Sequence, residues 1–315
     1  MFRKQIKITM QQKVCALVPK LTNDLRKGQC GRIAIFGGSY LYTGAPYFAA
    51  ISALKCGADL VHVFCEKEAG NVIKSYSPEL IVHPVLDTDS ALEEIDTWLP
   101  RIHSVVIGPG LGRKQSMFAT VSTIISKVKA LNLPVVVDAD GLWYLNQNPD
   151  MIKGYKRAVL TPNAMEFSNL VKSVLDRDIP PSSHPDPKAV VEICNAIDVT
   201  VANKGSVDVI SNGMYTEHCT EDGSPRRCGG QGDLFSGTLA VFLYWAYNVK
   251  PPIDSDASVI AGWAAARLTR ACAAQAFLLN GRATTTTDLI SVLHPAFNRL
   301  YGPEKGIQKA SCSIL

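Results

Sequence analysis

The sequence predicts an α/β fold in which a mostly parallel sheet is covered by helices. Short β-branched runs alternate with helix-length segments along the chain. Several of these runs end in glycines or an acid, the chemistry found where parallel strands hand over to functional loops. At 47% hydrophobic against 19% charged residues, the 315-residue chain has ample apolar material for a core and too little charge for disorder.

The elements follow in order. Residues 32–36 read as a first strand, and residues 45–56, rich in small side chains, as the next helix. Residues 60–64 and 104–108 are further strand-like runs. Residues 118–131 place Val121, Ile124, Ile125, Val128 and Leu131 at 3.6-residue spacing, which predicts a helix with one apolar face. A strand over 134–138 ends in Asp138, and one over 158–161 ends in Thr161 before Pro162. Residues 198–203 and 207–211 look like a strand pair around Gly205, followed by a hairpin signal at Asn212-Gly213. Helices are expected over 234–247, 258–279 and 288–301, and the proline-rich stretch 176–187 is expected to be an exposed loop. No internal repeat or domain boundary is visible. Residues 31–302 are therefore expected to form a single domain, with 1–30 as an N-terminal extension and 303–315 as a tail.

Composition excludes several function classes. The 32 Lys and Arg against 28 Asp and Glu leave +4, too little for a nucleic-acid binder that works by counterion release. The nine cysteines are scattered, odd in number and without a C-x-x-C pair, which suits reduced intracellular thiols and not a disulfide framework or zinc site. No apolar stretch is long enough for a membrane span, because residues 257–279 are interrupted by Arg267 and Arg270. The expected setting is the cytoplasm. Mitochondria are the alternative, since Arg3, Lys4, Lys7 and Lys13 precede the first acid, Asp24; a helix that docks on the domain accounts for the same residues. The terminal Cys312-Ser313-Ile314-Leu315 matches a prenylation box, but no polybasic run precedes it. Oligomeric state is left open, a homo-oligomer included.

The glycines carry the functional signal. Gly37-Gly38-Ser39 follows the first strand, and Gly108-Pro109-Gly110-Leu111-Gly112 follows the run ending at 107. Neither the dinucleotide pattern G-x-G-x-x-G nor the P-loop pattern fits, since position 113 is Arg and no G-x-x-x-x-G-K-[ST] occurs. Arg226-Arg227-Cys228-Gly229-Gly230-Gln231-Gly232-Asp233 is more specific. Three glycines in four residues at the start of a long apolar helix expose free amide donors, reinforced by the helix dipole, as an anion hole. Asp233 beside that hole is placed to take a proton from a hydroxyl attacking a γ-phosphate. It would equally serve as the helix N-cap.

Together these motifs resemble the ATP-dependent NAD(P)H-hydrate dehydratases of the ribokinase-like superfamily. The residues that carry the resemblance are Gly37-Gly38-Ser39 with Tyr42-Thr43-Gly44-Ala45-Pro46, Gly108 to Gly112, and Asp138-Ala139-Asp140-Gly141-Leu142. Leu160-Thr161-Pro162-Asn163 with Glu166-Phe167, Lys204-Gly205, and Arg226 to Asp233 complete it in family order. It covers nearly the whole chain, and it implies a ribokinase-like three-layer α-β-α sandwich.

The implied reaction is repair of NADH or NADPH hydrated on the nicotinamide ring. ATP phosphorylates the ring hydroxyl, and loss of phosphate restores the double bond, leaving ADP and phosphate. The resemblance makes Asp233 the base and the amides at Gly230 and Gly232 the anion hole. Lys204, Gly205, Ser206, Val207 and Asp208, with Gly223, Ser224, Pro225, Arg226, Arg227, Cys228, Gly229, Gly230, Gln231 and Gly232, would hold ATP. Gly110, Asn163, Ala164, Met165, Glu166, Phe167, Ser168, Asn169 and Asp233 would contact the hydrated dinucleotide, with Gly38, Ser39, Tyr42, Thr43 and Asp138 lining the cleft. Mg2+ is implied as the counter-ion of ATP, with no protein ligand assigned. Asn163 and the Arg-Arg-Cys-Gly-Gly-Gln-Gly-Asp form resemble the eukaryotic, ATP-using branch; ADP-using bacterial relatives usually carry His at the first position. The chain is expected to carry no fused epimerase half, so the resemblance implies a separate NAD(P)H-hydrate epimerase as a functional companion.

Plainer readings stand beside these. Lys204 reads equally as a solvated strand-end lysine, Asn163 with Glu166 as a capping box, and Asp138 and Asp140 as turn residues. Met165 and Phe167 are expected to pack. The alternative function is a kinase of the same superfamily acting on a thiazole or pyrimidine alcohol, and a different class is an idle nucleotide-binding scaffold.

Overall fold

The computed structural model describes residues 9–250 and 256–302. Arg3, Lys4, Lys7, the tail 303–315 and the Cys312 box lie outside the described residues.

Among the described residues nine strands form one sheet: β1 (Arg32–Phe36), β2 (Leu60–Cys65), β3 (Ile81–Pro84), β4 (Ser104–Ile107), β5 (Val135–Val137), β6 (Ala158–Leu160), β7 (Thr200–Asn203), β8 (Asp208–Ser211) and β9 (Thr216–Cys219). Their order is β3-β2-β1-β4-β5-β6-β7-β8-β9. All pairs from β3 to β7 are parallel, and β8 and β9 add antiparallel at the far edge. The central strands are uninterrupted apolar runs because both their faces are buried: Val135, Val136 and Val137 are each 0% exposed.

Helices are α1 (Met10–Leu17), α2 (Gly44–Cys56), α3 (Lys67–Tyr76), α4 (Ala91–Trp98), α5 (Phe118–Ala130), α6 (Asp140–Gln147), α7 (Ala164–Leu175), α8 (Pro187–Ile197), α9 (Gln231–Asn248), α10 (Ala257–Asn280), α11 (Thr286–Ser291) and α12 (Leu293–Tyr301). Two separate apolar clusters show three layers. One face of the sheet packs against α1, α2, α3 and α9 to α12, and the other against α4 to α8. Helix α1 docks through buried Val14 and Leu17, as a docking helix should. No helix among the described residues is long and apolar enough to cross a membrane.

Four differences from the sequence expectation have physical causes. Residues 288–301 are two helices broken at Val292, because Pro295 has no N–H to give and the chain restarts with Pro295 in the first turn. Pro187 opens α8 where a loop was expected: Asp186 caps Lys188, and a proline at the first helical position sacrifices no bond. Asp198 belongs to the left-handed C-cap of α8 and not to the strand, which begins at Thr200. Met165 was expected to pack but is 58% exposed, since the inward face of α7 runs through Phe167, Leu170 and Val171.

Candidate active site

The strand order reverses direction at β1, whose neighbours are β2 and β4. Loops leaving adjacent strands at such a switch point diverge and open a crevice. Here the loop after β1 meets the loop after β4: Gly38 N–H donates to the Pro109 and Gly110 carbonyls, and the Ser39 hydroxyl donates to the Gly110 carbonyl at 2.9 Å. Gly108 has room for no side chain, since a Cβ there would lie 1.8 Å from the Asp138 carbonyl oxygen. The resulting cleft, about 640 Å³, is lined by Ser39, Tyr42, Gly112, Lys114 and Asp140 among others, within the ~300–1,000 Å³ usual for small-molecule sites.

Helix α9 aims its N-terminus at the same edge. Its N-cap is Gly230, at φ +94°, where a Cβ would lie 2.6 Å from a Phe48 ring carbon and 2.9 Å from the Thr286 hydroxyl. The Thr286 hydroxyl donates to the Gly229 carbonyl at 2.6 Å, fixing that peptide and leaving the first-turn amides to face outward without intrahelical acceptors. Gln231 braces the loop from within by donating to the Arg226 carbonyl at 3.1 Å. Arg226 in turn has its N–H held by the Ser224 hydroxyl at 3.0 Å. Asp233 is therefore in the first turn of the helix and is not its N-cap.

Lys204 is not a solvated lysine. Its Nζ donates to Asp138 Oδ1 at 2.9 Å, and it lies 3.4 Å from where a Cβ on Gly232 would be, beside the amide cradle. Asp138 is 1% exposed and also accepts from the Thr161 hydroxyl at 2.8 Å, so it is a buried ion-pair partner and not a turn residue. Burial works against the Lys204 ammonium, but Asp138, Glu166 and Asp233 together hold its pKa above the ordinary value. Burial raises the Glu166 pKa; Lys204 pulls it back and Asp138 adds to it. Asp233 is the most perturbed acid of the cluster. Burial and the negative field of Asp138 push it up to about 8, against the pull of Lys204. A carboxylate poised near neutral pH beside an anion hole has the properties of a general base.

Two acids flank Ala139, and its backbone is strained: φ 48° with ψ −120° is a region L-residues avoid. That bend turns Asp138 toward Lys204 and Asp140 toward the cleft. There Asp140 accepts from Gly112 N–H at 2.9 Å and Arg113 Nε at 2.8 Å.

Other expected site residues divide into two kinds. Asn163 and Glu166 do form a reciprocal capping box at α7, while Glu166 also shares the electrostatic cluster. Ala164 and Glu166 are half-buried near it. Phe167 is core, Ser168 donates to the Ile179 carbonyl, and Asn169 is exposed. In the loop expected to hold nucleotide, Gly205 N–H donates to Asp208 at 2.9 Å, and Asp208 is gripped by Arg270 at 2.6 and 2.9 Å. Asp208 thus braces the loop. Ser206, Pro225, Arg226 and Arg227 are exposed along it, while Val207, Gly223 and Cys228 are half-buried. Thr43 is half-buried at the start of α2, with its hydroxyl 2.8 Å from the Tyr76 hydroxyl. The sequence reading assigned Arg270 and Thr286 no part in the site, and Thr161 stood only as a strand end and a member of the Leu160-Thr161-Pro162-Asn163 motif. Arg270 was visible only as a charge interrupting an apolar helix, and that charge in a small-residue run was the available signal.

No grouping of three or more metal-binding side chains occurs among the described residues. Asp138 and Glu166 share one electrostatic cluster beside Lys204, the one or two carboxylates that an ion such as Mg2+ takes when it stays on nucleotide phosphates.

Known proteins resemble this chain in fold and in sequence. A bacterial structure titled ADP/ATP-dependent NAD(P)H-hydrate dehydratase from Bacillus subtilis, co-crystallised with ATP/Mg2+, superposes with a TM-score of 0.68 at 20% identity, covering 93% of this chain and 97% of that one. A structure titled a ribokinase-like superfamily protein from Enterococcus faecalis superposes with a TM-score of 0.74 at 18% identity, covering 92% of this chain and 95% of that one. In sequence, the chain is 51% identical to the rat and 52% to the mouse ATP-dependent (S)-NAD(P)H-hydrate dehydratase, over 92% of this chain and 85% of each relative. Residues 33–295 match the family described as NAD(P)H-hydrate dehydratase, and the chain belongs to that family.

Proposed function

We propose that this protein repairs hydrated NADH and NADPH in an ATP-dependent dehydration of the S epimer. The observation that carries the reading is Asp233, an acid held near neutral pKa at the mouth of a glycine-built amide cradle, in a chain about half identical to dehydratases of that name.

The chemistry follows from these groups. The ring hydroxyl gives its proton to Asp233 as its oxygen attacks the γ-phosphorus of ATP. The bond to the bridging oxygen breaks and ADP leaves. First-turn amides at Gly230, Gln231 and Gly232, with Lys204 beside them, take up the charge on the transferring group. Hydroxide is a poor leaving group and phosphate a good one, so the phosphorylated carbon then loses phosphate while its neighbour loses a proton, restoring the ring double bond. Bound Mg2+ would supply neutralisation of phosphate charge, with Asp138 and Glu166 as the carboxylates to hold it. ATP would lie along Lys204 to Asp208 and Gly223 to Gly232, and the dinucleotide along Gly110, Asn163 to Asn169 and Asp233. An epimerase acting on the same hydrates is the functional companion, with no contact required. The cytoplasm is the setting we assign, with mitochondria as the alternative.

A recovery assay tests this. NADH aged in acid, which contains the hydrate, is mixed with protein and Mg-ATP while the reduced-nicotinamide absorbance is followed. Absorbance should return with ATP and not without nucleotide. Return with ADP alone would overturn the ATP-using assignment. No return with either, alongside rapid phosphorylation of a thiazole or pyrimidine alcohol, would replace the reading by the kinase.

A further inference from the structure

Beside the reacting groups, the 640 Å³ cleft has two walls that the proposed reaction does not use. One is an exposed Tyr40-Leu41-Tyr42 loop, with 69%, 74% and 54% of each residue open to solvent. Three adjacent large side chains left out of a core call for an occupant. The facing wall carries Arg113 and Lys114. Both walls are fastened from below by acids. Glu66, only 1% exposed, sits 2.8 Å from Lys114 Nζ and accepts from the Tyr40 N–H at 3.3 Å, so one buried carboxylate fixes a cation and an aromatic loop together. Asp140 does the same for Arg113 and the Gly112 amide. The Tyr144 hydroxyl donates to the Lys114 carbonyl at 2.9 Å.

We propose that this end of the cleft is the subsite for the adenosine diphosphate half of the hydrated dinucleotide. The assignment rests on the dehydratase reading above. Arg113 and Lys114 meet the pyrophosphate, whose charge suits a guanidinium and an ammonium. Tyr40 offers its ring to the adenine, since any base presents a face for stacking. Binding energy from this remote half then holds the substrate equally in ground and transition states, so its loss shows in KM and not in kcat. In the reading above ATP lies along Lys204 to Asp208 and Gly223 to Gly232, none of which lines this cleft, so the two nucleotides do not compete for these walls.

ADP-ribose is the probe, because it carries the adenosine and both phosphates without the nicotinamide. It is titrated calorimetrically into the protein with a non-hydrolysable ATP analogue present to occupy the nucleotide site. Wild type should bind it. Tyr40→Ala and Lys114→Met should each weaken binding about tenfold, and Tyr40→Phe should bind as wild type. In turnover, the two weakened variants should raise KM for hydrated NADH by a similar factor while keeping kcat and the KM for ATP. Hydrated reduced nicotinamide mononucleotide, which lacks the adenylate half, should show no such rise. ADP-ribose affinity unchanged in both variants, or a KM effect that falls on ATP, overturns the subsite. Failure of the wild type to act on any hydrate overturns the dehydratase reading instead, and the ADP-ribose titration still reports on the cleft.

Discussion

Replacing Asp233 by Asn removes one proton acceptor and one negative charge while keeping the shape, and the two losses act in opposite directions. For activity, a positioned base generally contributes ~10²–10⁴-fold, so turnover should fall by that factor while ATP binding persists. In the wild type, an acid with its pKa pushed up to about 8 is mostly protonated at pH 7, so kcat/KM should climb through pH 8. For stability, the folded protein holds the Asp233 proton up to about pH 8, whereas an unfolded aspartate releases it near the ordinary 3.8. Between those values the native state binds the extra proton, so wild-type stability falls as pH rises through the window and levels off above it. At ~1.36 kcal/mol per pH unit the ceiling is ~5–6 kcal/mol; partial solvent access and sharing within the Asp138, Glu166 and Lys204 cluster reduce it to roughly 2–3 kcal/mol. Asn does not ionise and escapes this loss. Urea unfolding followed by tryptophan fluorescence at pH 5 and pH 9 should give similar stabilities for the two proteins at the lower pH. At the higher pH the Asn variant should be the more stable. A stability difference independent of pH, or repair within tenfold of wild type, would refute the placement of a high-pKa base at this position.

Two further substitutions examine how the site is held. Gly230→Ala forces a Cβ to within 2.6 Å of Phe48 at a positive φ; it should cut ATP-dependent turnover by ~10²-fold or more with an unchanged circular-dichroism spectrum, since the amide cradle is what moves. Ala139→Gly relieves a strained backbone worth ~1–3 kcal/mol at an entropic cost of ~0.5–1 kcal/mol, so the urea midpoint should rise. A lower midpoint would mean that the Ala139 methyl stabilises more than its φ costs.

What the sequence made legible follows from what sequence patterns encode. Strand β1 matches its expected limits from Arg32 to Phe36, because a central parallel strand is a continuous β-branched run bounded by turn residues. Strand β3 and helices α3, α4, α6 and α8 escaped. Strand β3 has only four residues and ends in Pro84, and α3 is mostly polar. The glycine loops were legible as spacing, since a cradle of amides must be contiguous in sequence. The cluster around Lys204 was not. Its partner Asp138 is 66 residues away, and Arg270 grips Asp208 from 62 residues away on a helix across the loop. Spacing reports neighbours along the chain, whereas a charge network is set by which strands the topology makes adjacent.

That distinction also bears on the choice between repairing a dinucleotide and phosphorylating a small alcohol. The anion hole and Asp233 serve either, because both reactions begin with the same phosphoryl transfer. A vitamin-sized alcohol has no phosphate for Arg113 or Lys114 to meet. The buried Glu66 and the half-buried Asp140 are nevertheless committed to holding those two cations in place. Glu66 is ion-paired with Lys114 and is not an unpaired buried charge; what is left to gain is an anionic partner for the two cations that it and Asp140 hold. A dinucleotide supplies that partner in its phosphates, and a second base besides. The walls farther along the cleft therefore favour the dehydratase where the catalytic groups cannot decide.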